Sequence, residues 1–323
     1  MNSNSKILMI IGNGFSKSYL DHKGIEINSS KPLTGFESKK CEVNIFLDKI
    51  PDLKNIIDKY NNEDHFKLIE EFLSDYNNDD RLICFMKRFI TLAYSKFQLE
   101  IEKESKIEKW EFSKWILNNK KNISDIYSLN YDLIVENILD SLGIRYCRPF
   151  TSEMLPNVKY DCYIYKPHGS IDFDLPSSAI KISEESIWSS IIFNNQANIN
   201  GQNLKIVERE SYLKPRVQQD VVLPSSENDQ MKISWVKKMY KMLFSRMNNF
   251  EKIIIFGFGY RYEDRNEFNL ILDKIHRCKK VKFYHIGYKS KNENLEKRIN
   301  YLGFNYIFIP TKENTWDEIL NIL

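Results

Sequence analysis

Apolar positions cluster in two short runs of this chain. Ile7 to Ile11 is uninterrupted, Lys252 to Phe256 is nearly so, and each run stops at a glycine. Continuous apolar runs of that length are the mark of strands buried on both faces of a parallel sheet. After the first run come Gly12-Asn13-Gly14, and then Phe15, Tyr19 and Leu20 at the spacing of one helical face. The pattern predicts a strand, a tight turn and a helix. Shorter strand patterns follow at Asp125 to Leu129, Ile144 to Cys147, Cys162 to Lys166, Val281 to Ile286 and Asn305 to Ile309. Helical patterns separate most of them: Leu133 to Leu142, Ile233 to Met247, Arg265 to Ile275 and Glu293 to Leu302, with a last short helix after Thr311.

Between the first helix and the second strand the period changes. Leu82, Phe85, Met86, Phe89, Leu92, Ala93 and Phe97 recur at three- and four-residue steps, so residues 42–119 read as a helical insertion. Turn clusters at Tyr60-Asn61-Asn62 and Asn77 to Asp80 divide it, and Trp110 and Trp115 near its end read as packing residues. Residues 175–230 are polar and Asn-rich, with β-like runs only at Lys205 to Val207 and Val221 to Pro224; they read as an irregular excursion within the core. The polar segment from Asp21 to Lys40 follows the first helix, and His22-Lys23-Gly24-Ile25 is expected to loop over the glycine turn. Alternating strands and helices predict an α/β fold. The expected form is a Rossmann-like, doubly wound parallel sheet built from residues 1–41 and 120–323, with an inserted helical block.

Composition narrows the function classes. With 42% apolar and 13% aromatic residues in 323, the chain can bury a large core. A net charge of +3 is mild. Basic clusters such as Lys120-Lys121 and Arg277 to Lys282 are short and interleaved with apolar residues, which suits solvated element ends better than a nucleic-acid footprint. The five cysteines (Cys41, Cys84, Cys147, Cys162, Cys278) form no C-x-x-C pair, so no local zinc ribbon is expected. An odd cysteine count without a secretory leader fits a reducing cytoplasm. Ile187 to Leu204 is uncharged but rich in Asn, Gln and Ser, so it does not read as a membrane span.

Polar side chains gather where four strands end. These are Gly12-Asn13-Gly14-Phe15-Ser16, Asn130-Tyr131-Asp132, His168-Gly169-Ser170, and Gly257-Phe258-Gly259-Tyr260 followed by Asp264. In doubly wound sheets, ligands bind beyond the carboxyl ends of the strands. A glycine turn opening a helix offers N–H groups and a positive dipole end to an anion, so a phosphate-bearing ligand is expected. The dinucleotide fingerprint of dehydrogenases fails, because Lys17 stands where its third glycine should be. A lone His or Asn at a strand end is commonly structural. Four marked ends in this order carry more weight than any one.

That order resembles the Sir2-like family, specifically the bacterial Sir2-like NAD-consuming domains of anti-phage defence proteins. The resemblance rests on the glycine turn with Ser16 and Gly24-Ile25, on Asn130 and Asp132, on Lys166-Pro167-His168-Gly169-Ser170, and on the late Gly257-x-Gly259 with Asp264. It covers the sheet core at both ends of the chain, and not residues 42–119 or 175–230. It implies NAD bound as a substrate and cleavage of its nicotinamide–ribose bond by a cytoplasmic NAD+ glycohydrolase. Asn130 and His168 would be catalytic, His168 as general base and Asn130 holding water and ribose. Gly12, Asn13, Gly14, Phe15, Ser16, Asp132, Gly169, Ser170, Gly257, Gly259, Tyr260 and Asp264 would bind the dinucleotide. The family's zinc-dependent deacylases carry two C-x-x-C pairs. None is present here, so no zinc or other metal is expected and deacylation loses its support. The segment from Gly257 to Asp264 is longer than the family pattern.

Other readings remain: a sensor that binds NAD or ADP-ribose without turnover, and a toxin of the abortive-infection group that shares the IGNGF-like start. As a defence effector the protein would need restraint. The expectation is a homo-oligomer, or a separately encoded partner such as an ATPase, with the helical block as contact surface. No membrane association and no direct nucleic-acid binding are expected.

Overall fold

The computed structural model describes residues 6–25, 42–60, 65–76, 79–103, 110–176, 202–214, 216, 219–223, 233–275, 281–288 and 292–323. Strand β1 (Lys6–Ile11) runs into α1 (Asn13–Lys23). Five helices follow: α2 (Glu42–Asp48), α3 (Pro51–Tyr60), α4 (His65–Tyr76), α5 (Asp80–Lys103) and α6 (Glu111–Asn119). Then come β2 (Ile123–Ser128), α7 (Ile134–Ser141), β3 (Tyr146–Cys147), β4 (Cys162–Tyr165) and β5 (Gly169–Asp174). Two short strands, β6 (Lys205–Ile206) and β7 (Gln219–Val221), precede α8 (Ser234–Arg246) and β8 (Phe250–Phe256). The chain closes with α9 (Tyr262–Ile275), β9 (Lys282–Gly287), α10 (Glu293–Tyr301), β10 (Asn305–Pro310) and α11 (Trp316–Ile322).

Seven strands form one parallel sheet in the order β10-β9-β8-β1-β2-β4-β3. Alternate residues of β1 serve opposite faces. Leu8 and Ile10 join a core with residues of α8, α9 and α10, whereas Ile7, Met9 and Ile11 join one with α1, α6, α7 and α11. Helices therefore cover both faces, and β1 is apolar from Ile7 to Ile11 because neither face meets water, whereas β2 buries Asp125 on Arg246 (2.6 Å). The fold is α/β and Rossmann-like. Winding reverses at β1: its neighbours are β2 on one side and β8 on the other, and the crevice beyond their carboxyl ends is where such sheets bind ligands.

Two features depart from the expected elements. The polar run after His168 is a strand, β5, which pairs antiparallel with β6 and β7 in a second, three-stranded sheet. Its Ser170, Asp172 and Asp174 are buried, with Arg148 donating to Asp172 (2.7 Å) and Arg216 to Asp174 (2.7 Å). Buried charges hid the strand from an apolar pattern. The second departure is at His22-Lys23-Gly24-Ile25, which does not loop over the glycine turn. His22 and Lys23 complete α1, and Gly24 ends it in the left-handed conformation (φ 64°) with its N–H on Asp21 and Leu20 carbonyls. The rest of the Asp21 to Lys40 segment, Cys41, Cys278 and the stretch Ile187 to Gly201 lie outside the described residues. Among the described residues, no helix is long and apolar enough to cross a membrane.

Helices α2 to α5 pack among themselves and also against Tyr131, Leu133 and Ile171, so they reach the carboxyl edge of β2. Trp110 and Phe112, just before and within α6, pack in the core beneath α1.

Candidate functional site

A cavity of about 220 Å³ opens at the reversal point. It is lined after β1 by Gly12, Asn13, Gly14 and Lys17, after β2 by Leu129 to Asp132, and after β8 by Gly257, Phe258, Gly259, Arg261 and Asp264. His168 enters from the β4–β5 connection and Tyr94 from α5.

The glycines are set first by backbone packing. A Cβ on Gly12 would stand 2.7 Å from the Gly257 carbonyl oxygen, and one on Gly257 would stand 2.1 Å from the Phe15 nitrogen. The Gly14 N–H donates to the Gly257 carbonyl (2.9 Å), and the Gly12 N–H to that of Phe256 (3.0 Å). The two turns therefore lock together, and one N–H that could have met an anion is already used. Gly259 differs: a Cβ there meets only the flexible Arg261 side chain, at 3.4 Å.

A buried relay ties α1 to the end of β2. Asn130 Nδ2 donates to Ser16 Oγ (2.9 Å) and to the Gly12 carbonyl (3.2 Å), and Ser16 Oγ donates to Asp132 Oδ2 (2.7 Å). The other Asp132 oxygen accepts from the Ile134 N–H at the start of α7 (3.2 Å). Burial raises the Asp132 carboxyl above its ordinary value, opposed by the Ser16 hydroxyl, the Lys166 ammonium and the Ile134 N–H. Lys166 is itself fully buried, donating to the Asp132 carbonyl (2.6 Å) and to Glu136 (2.9 Å). With both Asn130 amide hydrogens engaged, its Oδ1 is the atom that can accept from a ligand hydroxyl or a water.

His168 has two hydrogen-bonding partners among the described residues. Its Nε2 lies 3.1 and 3.2 Å from the Glu267 carboxylate oxygens, and it also hydrogen-bonds the Leu129 backbone. Burial by itself lowers the imidazole. Glu267, through charge and hydrogen bond, then Asp264 and Leu129, carry it above its ordinary value.

Nine of the fourteen residues expected in the site line the cavity: Gly12, Asn13, Gly14, Asn130, Asp132, His168, Gly257, Gly259 and Asp264. Five do not. The Phe15 ring is buried against Trp110 (5.3 Å) and Phe256 (5.1 Å), and Ser16 acts through Asn130 and Asp132. Gly169 and Ser170 are buried as the first two residues of β5. Tyr260 packs on Phe268 (5.8 Å) and donates to Asn269 (3.0 Å). Sequence reasoning missed Lys17, Tyr94, Leu129, Tyr131, Phe258 and Arg261. Tyr131 and Phe258 sit inside the marked motifs, and Lys17, Leu129 and Arg261 directly follow or precede expected residues, whereas Tyr94 shares the periodicity of a core helix.

Charge is sorted across the site. Lys17 and Arg261 are exposed, while Asp132, Asp264 and His168 are buried. Leu129, Phe258 and the Tyr94–Tyr131 pair, edge to face at 5.2 Å, provide apolar and aromatic wall. The arrangement suits a ligand with a flat ring, hydroxyls and phosphates. The chain matches no family model, and no curated protein matches it.

Proposed function

We propose that this site binds NAD and hydrolyses its nicotinamide–ribose bond. The observation that carries the reading is the gathering of Asn130, Asp132 and His168 with both glycine turns around one cavity at the reversal point of the sheet. Charge supports it too. Exposed Lys17 and Arg261 suit a diphosphate, and buried carboxylates suit a cationic nicotinamide ring. At about 220 Å³ the cavity falls below the ~300–1,000 Å³ of pockets that enclose a drug-sized ligand. It would take the nicotinamide-riboside end, with the remaining phosphates and adenosine along the open rim.

Nicotinamide leaves as a neutral molecule, taking the electrons of the C–N bond, so the departure needs no acid. The sugar passes through an oxocarbenium-like state. Water then forms the new C–O bond, and its proton passes to neutral His168, whose accepting nitrogen must first release Glu267 or the Leu129 backbone, and on to solvent. Asn130 Oδ1 would hold that water or a ribose hydroxyl. The balance is NAD+ and water giving ADP-ribose, nicotinamide and a proton.

The wider reading is that of a Sir2-like anti-phage effector that depletes NAD, restrained as a homo-oligomer or by a separate partner such as an ATPase. It rests on the motif order given above. In that reading residues 42–119 are an inserted helical block that also lends Tyr94 to the site. A second reading, binding without turnover, is favoured by one observation: His168 is already engaged by Glu267 at Nε2 and by the Leu129 backbone. Incubation with NAD in ¹⁸O-labelled water separates them. Label in the ADP-ribose supports hydrolysis, a cyclic product carries none, and saturable binding with no product is the sensor's result.

A further inference from the structure

Glu267 stands behind His168 and outside the cavity lining, three residues along α9 from Asp264 and so on the same helix face. Beyond its contacts with His168, its Oε2 accepts from Tyr240 (2.9 Å) and Tyr127 (3.1 Å), whose hydroxyls lie 2.7 Å apart. Tyr127 comes from β2, Tyr240 from α8 and His168 from the β4–β5 connection. All four side chains are buried. Burial first holds both tyrosines well above their ordinary values; Tyr240 and Glu267 raise Tyr127 further, and Glu267 raises Tyr240 against the opposing hydrogen bond from Tyr127, so both hydroxyls keep their protons. The groups facing His168 are Glu267 and Asp264 from α9, the Leu129 backbone, and Tyr131, whose ring centre is 6.4 Å away. The other ionisable side chains lining the cavity are Lys17, Tyr94, Asp132 and Arg261.

We propose that Glu267 is the positioning residue of this site: fixed by the Tyr127 and Tyr240 hydroxyls, it grips His168 through Nε2 and neutralises its charge whenever it is protonated. The functional part of this inference rests on the NAD-cleavage reading. Neutralisation matters there because an unpaired imidazolium would oppose a positive centre forming on the ribose. The same grip delays the appearance of neutral His168 as pH rises.

The test is an NMR titration of protein labelled at histidine Cε1, with His168→Ala identifying its signal among the five histidines. Glu267→Gln should lower the His168 midpoint by roughly one to two pH units. Glu267→Asp keeps the charge at a longer reach and should fall between them, which covers the case of a Gln variant that does not fold. In turnover, the acid limb of log kcat against pH should move to lower pH in Glu267→Gln. Equal midpoints in native protein and the folded variants would overturn the proposal. The titration needs no substrate, so absence of NAD cleavage would sink the earlier reading without touching this one.

Discussion

Gly14 and Gly257 meet backbone to backbone, so that a Cβ on Gly14 would stand 2.6 Å from the Gly257 Cα. The contact joins the turn after β1 to the turn after β8 and forms one side of the cavity. Gly257 also has φ 67°, where a side chain is strained by about 1–2 kcal/mol before any clash. Gly257→Ala should therefore lose at least ~2 kcal/mol of stability in denaturant unfolding. Gly259→Ala, with only a flexible neighbour, should lose less than about 1 kcal/mol.

Ser16 links two predicted site residues while lining nothing itself. Ser16→Ala leaves Asp132 Oδ2 without its 2.7 Å donor and one of the two Asn130 amide hydrogens without its acceptor. A buried partner left unsatisfied costs roughly 1–3 kcal/mol, and the variant should show that loss together with weakened NAD binding by calorimetry.

Tyr94 tests the aromatic wall. Stacking of a base on an aromatic side chain contributes on the order of 1–3 kcal/mol. Tyr94→Ala should raise the NAD dissociation constant by roughly 5- to 100-fold on the same scale. An unchanged constant would remove α5 from the site.

Stability should depend on pH through His168 in a defined sense. Its folded value is raised, so the stabilisation from the Glu267 contact is fully present below the ordinary imidazole value of 6.5 and is lost as pH rises through the folded value. The stability deficit of Glu267→Gln should therefore be larger near about pH 6 than near about pH 9, measured by denaturant unfolding.

Much of the fold was legible because strands buried on both faces tend to be continuously apolar, as Ile7 to Ile11 of β1 and Ile253 to Phe256 of β8 are. Strand β5 was not, since its polar positions are buried against arginines that lie elsewhere in the chain. Within the site, Asn130 and His168 stood out as polar residues where apolar strands stop. Glu267 did not. Its pairing with Asp264 along a helix is visible, but nothing local says which helix face meets His168, 99 residues away. The glycines were readable as turns, but their locking together joins segments more than two hundred residues apart and is a property of the sheet order. Tyr94 was hidden for the opposite reason, carrying the same three- and four-residue spacing as the core residues around it.

The most direct test of the central claim is nicotinamide release from NAD, followed over a range of protein concentrations for the native chain and His168→Ala. The native protein should release nicotinamide, and His168→Ala should be slower by about 100-fold or more, the usual contribution of a positioned base. Equal release by both, or none from native protein at any concentration, would contradict the account.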